Sequence, residues 1–442
     1  MSDNIIRLGG SHIGNTNSIK NLYSFLQKSG GRKFIVVSAI PQLLQLIEQN
    51  LNNVFQQNNN PGLLVEKLDE FFTERAGGEI SETYKQLVGQ LAGLLKGIAL
   101  IGDYSVSLKD QVLSFAEKLS TEILKVHWSK IISEIEIVQP EDIELRVTSD
   151  FGNSTYISVN VEKIKALPES VFLIPGSFGI TEKGKIARTG RLAADYTAAF
   201  LTRSLNIEKL ELWDLDSDFH RADPGIVPEP PVISRLTYSE ASELAYFEHY
   251  SFHPRTVEPL EDKHIPIEVL NSSTPEGVVK TTINTETFVE KQIVKNIACT
   301  NDISLLKLVG PGVGLKPGIL AKVTTKLNDA GINIKSVITS QTSINIVLAK
   351  STGDTALGLV QELGFSSVQD IFVEKDVSLI GIVGHGMQAN YGVSAKIFSA
   401  VAANEINVAL SGSGASDLVS YLVVKSSDKE KSVRVIYNAF YS

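Results

Sequence analysis

Cysteine is almost missing from these 442 residues: Cys299 is the single one, which excludes an intrachain disulfide framework and fits a reducing compartment. Preceded by Ile297 and Ala298, it reads as a small core residue rather than a nucleophile. Positive charge is also in deficit. Lys and Arg total 41 against 50 Asp and Glu, a net charge of −9, so nucleic acid is not an expected partner, because binding it needs basic surface to neutralise phosphates. Long apolar runs are lacking too. The most apolar window, 87–101, is broken by Gln90 and Lys96 and falls short of the ~20 residues a bilayer span requires, so no membrane partner is expected. No basic stretch followed by an apolar one opens the chain, so no secretory leader is expected and a cytoplasmic location is. What remains is ordinary globular material, 43% hydrophobic and 21% charged, enough for about two to four domains.

The chain is organised around its beginning, Asn4-Ile5-Ile6-Arg7-Leu8-Gly9-Gly10-Ser11-His12. Ile5 to Leu8 predict a short buried strand that runs directly into two glycines. Asn15-Thr16-Asn17 then cap a helix with apolar positions at Ile19, Leu22, Tyr23 and Leu26. A strand stopping on paired glycines before a helix lets backbone N–H groups approach an anion, and Arg7 adds charge beside them. The competing reading is a plain tight turn with Arg7 solvated. A second strand, Lys33 to Ala39, makes this a βαβ unit and predicts a mainly parallel sheet.

From Pro41 to about Trp128 the pattern is helical, interrupted by the Asn/Gln-rich loop 56–60 and by Gly102-Asp103. Strands are expected at Ile135–Val138 and Val171–Ile174, the latter ending in Pro175-Gly176-Ser177-Phe178-Gly179, where ligands of open α/β sheets bind. Thr189-Gly190-Arg191 feeds an Ala-rich helix. The strand Lys209–Trp213 precedes an acidic loop with Asp214, Asp216, Asp218 and Asp223, which lacks the glycine and terminal glutamate of a calcium loop. A helix from Ser239 to about Tyr250 and a strand from Pro266 to Leu270 follow.

Residues 303–334 align without a gap onto 377–408, an offset of 74. Matching pairs include Ser304/Ser378, Gly310/Gly384, Gly312/Gly386, Gly318/Gly392, Lys322/Lys396 and Asn333/Asn407. Each copy reads as strand, Gly-rich turn, amphipathic helix, turn, strand. With a helix at Thr352–Leu363 and a strand at Asp370–Val373 the first copy completes a β-α-β-β-α-β pattern, so a duplicated domain is expected.

Nearly end to end, the chain resembles the aspartokinases. The strongest likeness is Ser239-Glu240-Ala241-Ser242-Glu243-Leu244-Ala245-Tyr246-Phe247, continuing through His253-Pro254-Arg255-Thr256-Val257-Glu258-Pro259 to Ile265-Pro266-Ile267-Glu268-Val269-Leu270-Asn271. The duplicated part is similar to that family's tandem ACT domains, which bind amino-acid effectors. The resemblance implies an α/β, amino-acid-kinase-like three-layer sandwich with a mainly parallel central sheet over 1–277. It further implies a linker over 278–302 and two α+β ferredoxin-like ACT domains at 303–376 and 377–442. The activity implied is phosphorylation of the side-chain carboxylate of L-aspartate, or of a related small carboxylate, from Mg-ATP, in amino-acid biosynthesis leading to lysine. Control by an amino-acid effector and a homodimer formed through the ACT domains are implied with it.

Carried over by position, the resemblance makes Arg7 and Asp195 catalytic and puts Gly9, Gly10, Ser11, Asp214 and His220 at the nucleotide. Ser38, Asp103 and Arg191 fall at the substrate, with Arg191 as a fork for its α-carboxylate. Val313, Pro317, Gly318, Ile319, Asn333 and Ile334 fall at the effector, with Pro317 near the first helical position; no protein-held metal is implied. The chain departs from the family at several of these places. Arg7-Leu8-Gly9-Gly10-Ser11-His12 stands for Lys-Phe-Gly-Gly-Thr-Ser, and Gly190-Arg191-Leu192-Ala193-Ala194-Asp195 for Gly-Arg-Gly-Gly-Ser-Asp. Asp103 replaces a glutamate, Asp214-Leu215 a Thr-Asp pair, His220 an aromatic residue, Gly225 an arginine and Tyr250 a lysine. Lys335 stands where lysine-sensing relatives tend to carry an acidic residue, which favours a neutral effector such as threonine. Two functions stay open at this point: a kinase, and a noncatalytic relative that senses an amino acid and regulates a partner.

Overall fold

The computed structural model describes residues 3–13, 15–28, 30–54, 61–77, 80–132, 134–168, 170–191, 193–214, 218–247, 252–273, 277–413 and 416–441. Tyr250, Asp216, Leu215 and Leu192 lie outside them. The chain divides into two compact units. The first comprises residues 1–219, 232–245 and 250–286, and the second 220–231, 246–249 and 287–442.

In the first unit β1 (Asn4–Leu8), α1 (Thr16–Leu26) and β2 (Lys33–Val37) form the expected βαβ unit, with β1 and β2 parallel. The Asn15 side chain caps α1 by accepting from Ser18 N. Four helices follow: α2 (Pro41–Asn52), α3 (Pro61–Ala76), α4 (Glu82–Ile101) and α5 (Val106–Trp128). The chain continues through β3 (Ile135–Ile137), β4 (Arg146–Val147), β5 (Tyr156–Ser158), α6 (Val161–Lys165), β6 (Val171–Pro175), β7 (Phe178–Ile180) and β8 (Ile186–Arg188). It closes with α7 (Ala194–Ser204), β9 (Leu210–Asp214), β10 (Arg235–Thr237), α8 (Tyr238–Ala245), β11 (Ile267–Asn271) and β12 (Val279–Asn284).

Eight of these strands form one sheet in the order β10-β12-β11-β9-β1-β2-β6-β3, parallel except between β11 and β12. Its strands alternate strictly because side chains of neighbouring residues point to opposite faces. Ile6, Leu8, Ile35, Val37 and Leu173 pack under α1 to α5 in one core. Arg7 belongs to the opposite set, on the side where α7 packs against β1, β2 and β9. A small sheet, β5-β4-β7-β8, stands beside the main one. No helix among the described residues is long and apolar enough to cross a membrane.

The second unit starts with β13 (Asn296–Thr300) and runs through β14 (Ser304–Val309), α9 (Ile319–Asp329), β15 (Ile334–Thr339), β16 (Ser343–Leu348), α10 (Gly353–Gln361) and β17 (Asp370–Glu374). The second repeat supplies β18 (Val377–Val383), α11 (Val393–Ala402), β19 (Val408–Gly412), β20 (Val419–Lys425) and α12 (Lys429–Tyr441). The first sheet, β15-β16-β14-β17, is the complete β-α-β-β-α-β unit expected, and each repeat packs its own apolar core. The duplication extends to the backbone: Gly318 and Gly392 cap their helices at φ +88° and +82°, left-handed values that glycine adopts without a side-chain clash. The other sheet, β13-β18-β20-β19, takes its fourth strand from before the first repeat. The stretch 278–302 thus carries β12 of the first unit and β13 of the second. Cys299 sits in β13 opposite Ile380, and burial pushes its thiol up to about 11, far from the reactive range.

Helix α8 ends at Ala245, short of the expected Tyr250. Phe247 instead belongs to the second unit, where its ring fills the place that a side chain at Gly381 of β18 would occupy.

Candidate functional site

Four parallel strands end side by side, and their ends carry the polar groups of the site. Gly9 N donates to Trp213 O at 3.1 Å, Ser38 N to Leu8 O at 3.0 Å and Gly176 N to Val37 O at 3.1 Å, so the ends of β1, β9, β2 and β6 are laced together. Glycine is required at position 10, where a methyl group would overlap the Ala39 carbonyl. The paired glycines therefore serve close packing as well as any ligand. Ser11, half-buried, continues this turn, and His12, fully buried, bonds the Ser18 hydroxyl through Nδ1.

Arg7 is 2% exposed and forms an ion pair through Nε with Asp195 Oδ1, itself 2% exposed. Asp195 lies in the first turn of α7, whose N-terminal dipole favours a carboxylate. Its other oxygen accepts from His253 N at 3.0 Å. The His-Pro-Arg-Thr run, singled out above without a role, thus anchors Asp195. Arg255 holds the anchor in place: its guanidinium donates to Ser154 O at 3.0 Å, Thr155 Oγ1 at 2.9 Å and Tyr196 OH at 3.0 Å, over the Tyr196 ring. Burial, reinforced by the Arg255 charge, lowers His253 to about 4, so its imidazole is neutral at pH 7.

A second buried pair was missed in the sequence. Glu117 in α5 is fully buried and accepts from Arg188 Nη2 of β8 at 2.8 Å. Burial raises the Glu117 carboxyl, against the lowering effect of Arg188. Asp110 accepts from Gly152 N at 2.7 Å and Arg188 N at 2.8 Å; burial raises its carboxyl and these bonds lower it. The available signal was Asp110, Ser114, Glu117 and Thr121, polar residues recurring at helical spacing among the apolar positions Val112, Leu113, Phe115 and Ala116.

The other expected site residues are dispersed. Ser38 is buried at the end of β2, beside Ile40, whose N donates to Ser120 Oγ of α5 at 2.9 Å. Asp214 ends β9 in register with Asn271 of β11. Asp103 is exposed on the turn between α4 and α5 and accepts from Tyr104 N at 2.7 Å. Arg191 is 67% exposed, 3.5 Å from Glu48. His220 belongs to the second unit, where Nδ1 bonds Pro230 O at 2.8 Å. At the effector turn Val313 and Ile319 are buried in the repeat's core, while Pro317, Gly318 and Asn333 are exposed and Ile334 is half-buried. Helix α9 begins at Ile319 with Gly318 as its cap, so Pro317 precedes the cap rather than occupying the first helical turn. Lys335 donates to Asp302 O at 2.9 Å and lies over the Tyr246 ring.

This architecture matches the amino acid kinase family over residues 4–271, and the chain belongs to that family. ACT domains match over 299–360 and 380–440, which gives the kinase domain a tandem ACT pair. Among curated proteins the chain is similar to the chloroplastic aspartokinase 2 of Arabidopsis thaliana, with 29% identity over 380 residues, 83% of this chain and 69% of that protein. It is also similar to the bifunctional aspartokinase/homoserine dehydrogenase of Haemophilus influenzae, with 27% identity over 366 residues, 80% of this chain but 44% of that protein. The chain therefore spans less than half of this bifunctional relative. Among solved structures, E. coli aspartokinase III in complex with aspartate and ADP shares the fold at a TM-score of 0.83 and 21% identity over the whole of both chains.

Proposed function

We propose that the first unit transfers the γ-phosphoryl group of ATP to the side-chain carboxylate of L-aspartate, as an aspartokinase. The observation that carries this reading is the buried Arg7–Asp195 pair at the strand ends, beside the glycine turn. A carboxylate oxygen attacks the γ-phosphorus, the bond from that phosphorus to the β,γ-bridging oxygen breaks, and ADP leaves with the electron pair. Little covalent chemistry falls to the protein, which positions two anions and neutralises the charge that develops. Arg7 supplies that charge, and Asp195, fixed by the His253 N–H and the α7 dipole, sets the guanidinium's plane. Arginine places donors in a planar fork where lysine places a point charge, so Arg7 is suited to bridging two oxygens. Magnesium enters with the nucleotide, on its phosphates.

The relatives support this reading by name, and one solved neighbour holds aspartate with ADP. The ACT pair is the regulatory part in the same proposal: it takes a small amino acid at the turn between Gly312 and Asn333 and pairs with a second copy of the chain. A second solved neighbour, E. coli aspartokinase III with lysine and aspartate, is described as the T-state. The test is ATP-dependent formation of aspartyl hydroxamate by the purified full chain. Folded protein that forms none at saturating Mg-ATP and aspartate refutes the proposal.

A further inference from the structure

The duplication supplies an internal control. In β15 the pairing with β16 slips by one residue between Ile334 and Ser336, and in β19 the pairing with β20 slips between Val408 and Leu410. The extra residues, Lys335 and Ala409, are related by the offset of 74, so both repeats carry a bulge at the same position. A bulge leaves its extra residue out of the ladder and re-aims its side chain. The aspartate ahead of each repeat is also common to both, as Asp302 and Asp376. Both copies fold on this backbone, but only the first hangs an ammonium from it. Neither the bulge nor the repeat therefore requires the lysine.

The Lys335 ammonium donates to Asp302 O at 2.9 Å, lies 3.5 Å from Asp302 Oδ2 and stands 4.8 Å from the centroid of the Tyr246 ring. Its side chain is 16% exposed. Carbonyl, carboxylate and aromatic face together are the groups that recognise a primary ammonium. Tyr246 meets the second repeat as well, edge-on to Tyr421 of β20 at 6.4 Å, while Phe247 fills the place beside Gly381. These two aromatic residues directly follow α8, yet they belong to the second unit and α8 to the first.

Helix α8 is fixed at its start by a capping box, in which Thr237 N donates to Glu240 Oε2 at 2.8 Å and Glu240 N to Thr237 Oγ1 at 3.1 Å. Its body packs on the Pro254–Thr256 turn, and the amide just before that turn, His253 N, is the one that holds Asp195. Motion at the end of α8 is thereby passed to the partner of Arg7. We propose that Lys335 is a tethered ligand: its ammonium occupies a site for a primary alkylammonium group formed by Asp302 and Tyr246. In doing so it latches the chain that leaves α8 to the first ACT repeat and steadies the hold of His253 on Asp195. This goes beyond the kinase reading, because the latch is read in the backbone whether or not the chain turns over.

The test uses the full chain as wild type, Lys335→Ala and Lys335→Met. Lys335→Ala copies what the second repeat already carries at Ala409, so it is expected to fold. Amide hydrogen exchange is followed by mass spectrometry in peptides covering 238–247 and 252–258, alongside hydroxamate kinetics at saturating Mg-ATP. Both variants are expected to speed exchange in both peptides about threefold to tenfold, the loss of one charged contact partly screened by water, and to lower kcat by a similar factor. In Lys335→Ala, n-propylammonium replaces the missing part of the side chain and is expected to restore slow exchange, and kcat with it. The same concentration of 1-propanol or sodium chloride is expected not to. In Lys335→Met the stem still fills the site, so n-propylammonium is expected to have no effect. Unchanged exchange in 238–247 in both variants overturns the inference. Faster exchange there with 252–258 unmoved, or with kcat unmoved in an active enzyme, overturns it too. Rescue of Lys335→Ala by 1-propanol or salt as well as by n-propylammonium, or by none of them, also overturns it and leaves the lysine structural. A wild type that forms no hydroxamate refutes the kinase reading, and exchange with its rescue then decides the latch alone.

Discussion

Phe247 and Gly381 form a packing pair whose two halves are strongly interdependent. Phe247 is fully buried, and a methyl group at Gly381 would overlap its Cζ and lie 2.7 Å from Cε2, well inside van der Waals contact. Phe247→Ala leaves a cavity and is expected to cost about 3–5 kcal/mol. Gly381→Ala drives the ring out of place and is expected to cost about 1–3 kcal/mol. Independent sites would add to about 4–8 kcal/mol. The double variant is instead expected to cost about 2–4 kcal/mol, because the new methyl occupies part of the cavity left by the ring. Guanidinium unfolding resolves this: both tryptophans, Trp128 and Trp213, lie in the first unit, so their fluorescence follows that unit, while far-UV circular dichroism follows both and the part of its transition absent from the fluorescence belongs to the second. A double variant whose cost equals the sum of the singles within about 0.5 kcal/mol refutes the reasoning.

Asp195→Asn removes the charge partner of a buried arginine and is expected to destabilise the first unit by about 3–5 kcal/mol, seen as a lowered denaturation midpoint in tryptophan fluorescence. Arg7→Ala is expected to abolish hydroxamate formation; unchanged activity would remove Arg7 from the phosphate-handling role. His253 is held neutral in the fold at about 4 against an ordinary value of 6.5, so the unfolded chain takes up a proton first as pH falls. Stability is therefore full above about pH 6.5 and lost toward pH 4, by about 3 kcal/mol, and His253→Gln should flatten that part of the pH–stability curve measured by urea titration. Thermal shifts with each of the twenty amino acids are expected to favour a neutral one such as threonine over lysine, because Lys335 places an ammonium near the Asn333 turn. Lysine giving the largest shift would contradict this charge argument.

Much of the fold was legible because it is written in short-range patterns. The strand into Gly9-Gly10, the Asn15 cap, the β-branched run at β2 and the ungapped repeat each depend on residues a few positions apart, where backbone preference and side-chain periodicity act directly. They were enough for the parallel sheet and for the first ACT unit strand by strand. The repeat could not show that β13, upstream of the first copy, completes the sheet of the second, because strand pairing is decided by which edges remain open after folding. Helix α8 stopped early for a reason equally remote from its own sequence: Phe247 is worth more buried at Gly381 than on a helix face.

The site divides along the same line. Arg7 and Asp195 were visible from motif positions, but their direct pairing, and the hold of His253 N–H on Asp195, exist only because β1, α7 and the His-Pro-Arg-Thr turn meet in space. Position matching put the substrate's partners at Asp103 and Arg191. Folding leaves both exposed, and it buries Glu117 with Arg188, a pair 71 residues apart in the chain that no short-range pattern joins. Sequence sets which residues carry charge; burial decides which of those charges are freed from water's screening, and that is a property of the tertiary structure alone.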